Sequence, residues 1–395
     1  MSNHHSESTE DGRQPVLLAI NAGSSSLKFG LFTAPGCERM ARGQIEDIAD
    51  QARLKIRVGE ETQRLDLQCA LTQEQALSRI LEWISERRVR ISAAVHRVVH
   101  SGGHYLNAVA VTPEVIDKLT ELEPLAPLHQ PHNVGALRRL AEIAPELPQV
   151  ACFDTAMHSR WGPLAQRYPL PSAIYERGYQ RYGFHGLSYA FIAGRMQQID
   201  PSAKRVVVAH LGSGASLCAL ENGRSIDCTL GYSPLGGIPM ATRTGDLDPG
   251  LVIALARELP GGIDEVEQLV SHHGGLAGLS DHDGDMRDLL GRDDEVAKLA
   301  VEHYCLAIAR QIAGMVTKLG GLDALVFTAG VGENAAPVRE QICTFLGWTG
   351  LVLDEQANAN SATAIHAESS SSRIYRVGTD EEQQMATEAA AVLGW

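Results

Sequence analysis

The chain has no apolar run long enough to cross a bilayer, and its first 14 residues, MSNHHSESTEDGRQ, lack the apolar segment of a signal peptide. Its seven cysteines are scattered and never spaced as CxxC, which argues against a disulfide framework or a zinc site. The net charge of −14 argues against nonspecific binding to nucleic acid or an anionic membrane, because both favour a basic surface. These absences predict a cytoplasmic protein with no nucleic-acid and no membrane partner.

The length of 395 residues predicts two domains, and a hydrophobic content of 44% is enough for two cores. Strand and helix signals alternate along the chain, which is typical of an α/β fold with sheets covered by helices. The predicted strands are 16–20, 27–32, 93–99, 150–153, 205–210, 216–220 and 324–328. The predicted helices are 73–88, 113–122, 251–258 and 294–318.

Two segments that are far apart in the chain resemble each other. Residues 17–27 (LLAINAGSSSL) align with residues 206–217 (VVVAHLGSGASL) when one extra residue is allowed in the turn. Both patterns predict a strand, a turn of small residues and a second strand, and such a turn lets backbone N–H groups approach an anion closely. The similarity favours duplicated domains with one phosphate-binding turn each, although two unrelated hairpins would give the same pattern.

Two other motifs are only superficially similar to known sites. Residues 23–28 (GSSSLK) lack the spacing of a P-loop. Asp281, Asp283 and Asp285 alternate as in an EF-hand, but Met286 replaces the required glycine and Arg292 replaces the bidentate glutamate. Neither segment predicts a site of that kind.

Eight stretches of the sequence resemble, in order, stretches of the acetate kinase family. They are NAGSSSLKF (21–29), HRVVHSGG (96–103), LAPLH (125–129), FDTA (153–156), RYGFHG (181–186), HLGSG (210–214), PMATRTGDLDPG (239–250) and FTAGVGEN (327–334). Any one of them is a weak signal, but eight in order, within a resemblance from residue 17 to about residue 385, make chance similarity very improbable.

The resemblance implies an α/β fold with two duplicated ribonuclease-H-like domains of the actin/Hsp70 type, facing a central nucleotide cleft. It implies a disordered N-terminal arm (1–15), a first domain formed by 16–153 plus 382–395, and a second domain (154–381) that binds nucleotide and forms a homodimer. The helix expected at 382–393 would complete the first domain.

The resemblance also implies a reaction: reversible, Mg2+-dependent, in-line phosphoryl transfer between ATP and acetate, giving acetyl phosphate and ADP, with Mn2+ as a substitute metal. Acetate is already an anionic nucleophile at neutral pH, so such an enzyme needs charge neutralisation and positioning rather than a base. The alternatives are a propionate or butyrate kinase of the same family and a non-catalytic nucleotide-binding protein of the actin/Hsp70 kind.

The resemblance assigns roles to individual residues. The implied catalytic residues are Asp154, His185 and Arg243. The implied acetate-binding residues are Arg97, Val99 and His129, and the implied metal ligands are Asn21 and Glu381. The residues alone leave other roles open: Arg97 could be a surface arginine after a strand, and Asp154 could cap the following helix.

The remaining implied residues would bind the nucleotide. They are Ser24, Ser26, Lys28, His210, Leu211, Gly212, Ser213, Gly214, Asp285, Met286, Arg287, Gly330, Val331, Gly332, Glu333 and Asn334. Three positions depart from the common family pattern: Ser213 stands where asparagine is common, and Ala241 and Thr244 replace a glycine and a serine. These changes bear on the details of phosphate binding and leave the reaction type unchanged.

Overall fold

The computed structural model describes residues 12–23 and 25–395, which contain two β-sheets and helices around them. The strands are β1 (Gln14–Ala22), β2 (Leu27–Thr33), β3 (Arg39–Glu46), β4 (Arg53–Val58), β5 (Glu61–Asp66), β6 (Val89–Val98), β7 (Val109–Ala110), β8 (Gln149–Phe153), β9 (Arg205–Leu211), β10 (Ala215–Glu221), β11 (Arg224–Cys228), β12 (Ala324–Thr328) and β13 (Arg373–Arg376).

The α-helices are α1 (Gln73–Ser85), α2 (Pro113–Glu121), α3 (Gln130–Ile143), α4 (Pro163–Gln166), α5 (Ser172–Glu176), α6 (Gly186–Ile199), α7 (Pro249–Glu258), α8 (Gly262–His272), α9 (Gly275–Ser280), α10 (Met286–Gly291), α11 (Glu295–Leu319), α12 (Ala329–Asn334), α13 (Ala336–Phe345), α14 (Glu355–Ala359) and α15 (Glu381–Leu393). Short 3-10 helices lie at Glu123–Leu125, Ala156–His158 and Gly347–Thr349. Within the described part of the chain, no helix is both long and apolar enough to span a bilayer.

Local sequence explains where several helices begin. Thr72 and Gln75 form a capping box at the start of α1, Thr112 caps α2 ahead of Pro113, and Asp294 caps the long helix α11. Helix α11 ends at Gly320, which adopts the left-handed conformation that glycine tolerates best.

The described chain divides into two compact units, residues 12–156 with 380–395 and residues 157–379. The first unit contains an eight-stranded sheet in the order β5-β4-β3-β2-β1-β6-β8-β7, and the second a five-stranded sheet in the order β11-β10-β9-β12-β13. In each sheet the central strand (β1 or β9) pairs antiparallel with the next strand and parallel with a later one. The predicted duplication of the fold is therefore confirmed.

The core of the first unit lies between its sheet and the helices α1 and α3. Leu18 and Ile20 on β1 are buried and belong to the same apolar cluster as Leu77 and Ile80 on α1. Helix α15 packs on β1, β6 and β8, so the C-terminal segment belongs to this unit. The continuous apolar run of β1 is buried because helices cover both faces of the sheet.

The structure differs from several boundaries expected from the sequence. Strand β1 begins at Gln14, so the expected arm (1–15) extends too far, while residues 1–11 lie outside the described residues. Helix α1 ends at Ser85 rather than at 88, and β6 begins at Val89 rather than at 93. The division of the structure places Asp154 and Glu381 in the first unit, whereas the expected second domain (154–381) had included both.

Candidate active site

Arg97 and Asp154 form a bidentate ion pair in the first unit. Nε of Arg97 donates to Oδ1 of Asp154 at 3.0 Å and Nη2 donates to Oδ2 at 2.6 Å. Arg97 lies near the carboxyl end of β6 and Asp154 directly follows β8, and these neighbouring strands are parallel. Their carboxyl ends therefore meet at one edge of the sheet, which brings the two side chains together.

The ion pair is well shielded from water, since the side chain of Asp154 is 2% exposed and that of Arg97 is 20% exposed. Burial on its own lowers the pKa of Arg97, but the carboxylates of Asp154 and Glu381 outweigh it and hold that pKa above the ordinary value. Burial raises the pKa of Asp154, and Arg97 opposes the rise. The pair presents a permanently charged guanidinium whose orientation is set by Asp154.

Two oxygen-bearing side chains adjoin this ion pair. The Oδ1 atom of Asn21 lies 3.4 Å from Nη1 of Arg97, and Oε2 of Glu381 lies 3.8 Å from its Nε. The neighbouring Glu382 is instead 2.7 Å from Arg39. The structure thus separates the two adjacent glutamates, which the sequence does not, because Glu381 points to Arg97 and Glu382 to Arg39.

Helix α3 holds the segment that follows Arg97. The buried side chain of Asn133 accepts a hydrogen bond from the backbone N of Val99 at 3.0 Å and donates to the carbonyl of Ala22 at 2.7 Å. Gln130 accepts from the backbone N of His100 at 3.1 Å and donates to its carbonyl at 3.0 Å. The sequence analysis missed both side chains, because an amide on a helix is more often solvated than buried.

The remaining residues expected in the first unit lie around the same edge of the sheet. Val99 is 8% exposed, and His129 immediately precedes α3, four residues before Asn133. In the β1–β2 turn, the backbone N of Gly23 donates to the carbonyl of Ser26 at 2.8 Å. Lys28 is exposed on β2 and pairs with Asn21 across the hairpin, while Ser24 lies outside the described residues.

Two histidines stack on each other in the second unit. The ring centroids of His185 and His210 are 4.4 Å apart, and the ring planes are inclined by 24°. His185 precedes α6 with a left-handed backbone (φ 59°), and His210 lies near the end of β9. Their Nδ1 atoms are each 2.8 Å from a serine hydroxyl, Ser216 for His185 and Ser188 for His210.

The β9–β10 turn places glycines beside these rings and beside Arg243. A Cβ built on Gly214 would lie 3.5 Å from Nε2 of His185 and 3.7 Å from Nη1 of Arg243. A Cβ on Gly212 would lie 3.7 Å from Nε2 of His210. Leu211 ends β9 and is fully buried, so the side of the turn near these donors is lined by backbone and by ring or guanidinium nitrogens.

The loop that carries Arg243 is packed tightly by backbone contacts. The backbone N of Ala241 donates to the carbonyl of Ser213 at 3.1 Å, which ties this loop to the β9–β10 turn. Gly275 has a positive φ (60°), and a Cβ there would lie 2.2 Å from the carbonyl oxygen of Met240. Any side chain at Gly275 would displace the loop, so the position of Arg243 depends on that glycine.

Glu333 and Arg339 position the segment that begins with Ala329 in the second unit. The Oε1 atom of Glu333 accepts from the backbone N of Ala329 at 3.0 Å and of Thr379 at 3.1 Å. The fully buried Arg339 donates to the carbonyls of Gly332 and Glu333 at 2.9 and 3.0 Å. Burial lowers the pKa of Arg339 to about 10. The sequence analysis missed Arg339, because an arginine on a helix usually lies at the surface.

The other expected nucleotide-binding residues lie in two places. Gly330, Val331 and Asn334 belong to the short helix α12, where the side chain of Asn334 donates to the carbonyl of Gly330 at 2.8 Å. Asp285 caps α10, Met286 is buried, and the Arg287 side chain is 88% exposed and paired with Asp285 at 2.5 Å. Met286 therefore presents little surface of its own.

Comparisons with known proteins agree over nearly the whole chain. The model of the acetokinase family matches residues 16–387. An acetate kinase of Rhodopseudomonas palustris is 43% identical over 384 residues, which cover 94% of this chain and 96% of that protein. The crystal structure of a propionate kinase from Francisella tularensis is 33% identical, with a TM-score of 0.90, and the match covers 95% of this chain and 98% of that chain. The crystal structure of the Porphyromonas gingivalis acetate kinase is also 33% identical, with a TM-score of 0.85, and the match covers 96% of this chain and 100% of that chain.

Proposed function

This chain belongs to the acetokinase family, and on that premise we propose that it catalyses reversible phosphoryl transfer between ATP and acetate, giving acetyl phosphate and ADP. The observation that carries the proposal is the convergence of two donors on one glycine. The Nε2 atom of His185 and the Nη1 atom of Arg243 lie 3.5 and 3.7 Å from the Cβ position of Gly214. Donors so placed beside a small-residue turn can neutralise charge that spreads over the oxygens of a transferring phosphoryl group.

In this proposal the first unit provides the groups that bind acetate. Arg97 binds the carboxylate, since a planar guanidinium matches its two oxygens. Asp154 acts on Arg97 by holding it in one orientation through the 3.0 and 2.6 Å contacts. Val99 contacts the methyl group of the acid, and His129 adds an auxiliary donor. Because acetate is already ionised at neutral pH, no residue is required as a base.

The nucleotide phosphates are assigned to the two small-residue turns. Ser24, Ser26 and Lys28 belong to the first turn, and 210–214 to the second. The adenosine is assigned to 330–334 and to Asp285–Arg287. The supporting observation is the tight hold on α12, where Glu333 and Arg339 bind its backbone at both ends. A fixed backbone can bind a nucleotide with little loss of conformational entropy.

The oxygen donors near Arg97 fit Mg2+. Asn21 and Glu381 offer one amide and one carboxylate oxygen, which are the hard ligands that this ion prefers. No group of three or more His, Cys, Asp or Glu side chains suited to a metal occurs among the described residues. Two protein ligands suit an ion that keeps several waters and binds through phosphate oxygens. When bound, Mg2+ would neutralise phosphate charge, and Mn2+ is proposed as a substitute.

We also propose a cytoplasmic homodimer that forms through the second unit. Large apolar side chains are exposed on helices of this unit, among them Leu251, Ile253, Ile263 and Leu299. A cavity of about 690 Å³ in this unit is lined by Leu251 and several other leucines. Exposed apolar surface of this kind favours association. All seven cysteines are unpaired thiols, which is typical of a reducing compartment.

The experiment is an assay of acyl phosphate formation, with purified protein, ATP and Mg2+, in which the product is trapped as its hydroxamate. Acetate, propionate and butyrate are compared in parallel, because one extra methylene changes discrimination by only about 10–200-fold in an apolar pocket. We expect the highest kcat/KM with acetate and a lower value with propionate. A higher value with propionate would make the chain a propionate kinase, and no turnover with bound ATP would favour the non-catalytic alternative.

A further inference from the structure

We propose that two hydroxyl pairs determine which ring nitrogen of His185 and of His210 carries the hydrogen. The pair Tyr189–Ser216 lies behind Nδ1 of His185, and the pair Thr379–Ser188 lies behind Nδ1 of His210. Each pair directs its hydrogens toward Nδ1, so the ring hydrogen is held on Nε2. The inference rests on the proposed function, in which Nε2 of His185 donates to the phosphoryl group. Tyr189 and Ser216 are then positioning residues.

The single hydroxyl hydrogen of Ser216 decides which nitrogen of His185 carries the ring hydrogen. Its Oγ lies 2.8 Å from Nδ1 of His185 and also contacts the hydroxyl of Tyr189. Both Ser216 and Tyr189 are fully buried, so water does not compete for these hydrogen bonds. If Tyr189 donates to Ser216, the serine hydrogen is directed to Nδ1, and the neutral ring must carry its own hydrogen on Nε2.

The surroundings of Tyr189 favour that direction. The groups that interact with its hydroxyl are Ser216 and the thiols of Cys218 and Cys228, and sulfur is a weak acceptor. Burial raises the pKa of Tyr189 well above its ordinary value, so the phenol keeps its hydrogen. Ser216 is consequently the best acceptor that Tyr189 has, and a chain of donation runs from Tyr189 through Ser216 to His185.

The arrangement behind His210 is parallel. The Oγ atom of Ser188 lies 2.8 Å from Nδ1 of His210 and 2.8 Å from Oγ1 of Thr379. The backbone N of Thr379 donates to Glu333 at 3.1 Å, which fixes that residue in place. If Thr379 donates to Ser188, the hydrogen of Ser188 is directed to Nδ1 of His210.

The tautomer matters because the two rings stack. With ring centroids 4.4 Å apart, two imidazolium charges would repel strongly, so at least one ring is neutral. A neutral ring has a single N–H group. If His185 is the neutral ring and its hydrogen were on Nδ1, the Nε2 atom near Gly214 would present a lone pair to an anionic phosphoryl group and repel it. The hydroxyl pairs thus keep a donor where the proposed chemistry needs one.

The test is Tyr189→Phe, which removes one hydroxyl and leaves the ring in place. Ser216 can then accept from Nδ1, and the loss of one buried hydrogen bond shifts such a two-state equilibrium about tenfold. Such a shift converts a predominant Nε2 tautomer into a roughly even mixture, so we expect kcat to fall about twofold while the KM values for ATP and acetate stay unchanged. Tyr304→Phe is the matched control, because its buried hydroxyl has no hydrogen-bond partner among the described residues.

The tautomer itself is read from 15N NMR of histidine-labelled protein, with the His185 signals assigned by their loss in His185→Gln. We expect hydrogen on Nε2 in wild type and a mixture of tautomers in Tyr189→Phe. Ser216→Ala removes the donor to Nδ1 and should lose at least as much kcat. Hydrogen on Nδ1 in wild type, or an unchanged spectrum and kcat in Tyr189→Phe, would overturn the inference. Wild-type protein that forms no acyl phosphate would contradict the proposed function instead, and the NMR result would still test the hydroxyl pairs.

Discussion

The two units share the order of five adjacent strands, β3-β2-β1-β6-β8 and β11-β10-β9-β12-β13, but differ in the chemistry at the end of the central strand. Asn21 on β1 pairs with Lys28 on β2, and His210 on β9 pairs with Ser216 on β10. Four residues (23–26) connect the strands of the first hairpin and three (212–214) connect those of the second, so the extra residue lies in the first turn, whereas the alignment of 17–27 with 206–217 places it in the second. The shared topology determines where functional side chains lie and leaves their chemical type open.

The difference lies in how charge is handled. The first unit buries the ion pair of Arg97 and Asp154 with Glu381 nearby, so each of its charges depends on the others. The second unit surrounds its turn with stacked imidazoles, buried hydroxyls and glycine backbone. A buried charge is tolerated only while it is paired, whereas neutral hydrogen-bonding groups depend on geometry. Substitutions that lower activity should therefore lower stability more strongly in the first unit than in the second.

The largest effect is expected from removing an arginine in either unit. Arg97→Ala and Arg243→Ala should each lower kcat/KM by about a hundredfold to a thousandfold, because a charge-stabilising donor is lost. Arg97→Ala should also lower the unfolding free energy by about 3–5 kcal/mol, because Asp154 is left buried and unpaired. Arg243→Ala should lower it by about 1 kcal/mol or less. Acyl phosphate assays and urea unfolding measure the two quantities.

The double variant Arg97→Ala/Asp154→Asn is the control for this comparison. It removes the unpaired charge, so stability should recover while activity remains lost. Equal destabilisation by both arginine substitutions would break the contrast between the units, and near-normal turnover in both would exclude the proposed mechanism.

A smaller effect is expected at the two adjacent glutamates of the first unit. Glu381→Gln should raise the Mg2+ concentration for half-maximal activity about tenfold or more, because one charged oxygen ligand is lost beside Arg97. Glu382→Gln is the matched control, since that carboxylate contacts Arg39. It should leave the Mg2+ dependence within about twofold of wild type. A larger change in Glu382→Gln than in Glu381→Gln would reassign the ligand.

The third comparison is the response of each unit to acid. Burial lowers the pKa of His96 and His100 in the first unit and of His158 in the second to about 4, against 6.5 ordinarily. The unfolded chain therefore binds protons first, and these histidines lower the unfolding free energy as pH falls from about 6.5 toward 4. Each contributes a slope of up to about 1.4 kcal/mol per pH unit.

Urea unfolding of wild type and His96→Gln over this pH range isolates one of these contributions. The unfolding free energy of the variant should fall less steeply with acid than that of wild type, by up to about 1.4 kcal/mol per pH unit. His158→Gln provides the same measurement in the second unit. Parallel curves for wild type and His96→Gln would show that His96 does not titrate on unfolding in this range.

Much of the fold follows from local patterns. The apolar runs of β1 and β9, each followed by small residues and a second apolar run, predict the two hairpins and their relation to each other. The strand at 150–153 ending in Asp154 predicts a polar group at a sheet edge, because strand ends in α/β folds carry such residues. These features depend on neighbours in the chain, so they are readable from sequence.

The sequence by itself determined the alternation of the predicted strands and helices, the two similar hairpins and the polar residues that follow their strands. Only the tertiary structure decided that Glu381 rather than Glu382 faces Arg97, that Asn133 and Arg339 are buried clamps, and that Tyr189 stands behind Ser216. These contacts join residues up to 343 positions apart, as in Arg39–Glu382. The spacing of apolar residues and the turn residues predict helices, strands and turns, because these depend on near neighbours in the chain. A buried polar group needs a hydrogen-bond partner, and when that partner is distant in the sequence, only the packed structure shows which group it is.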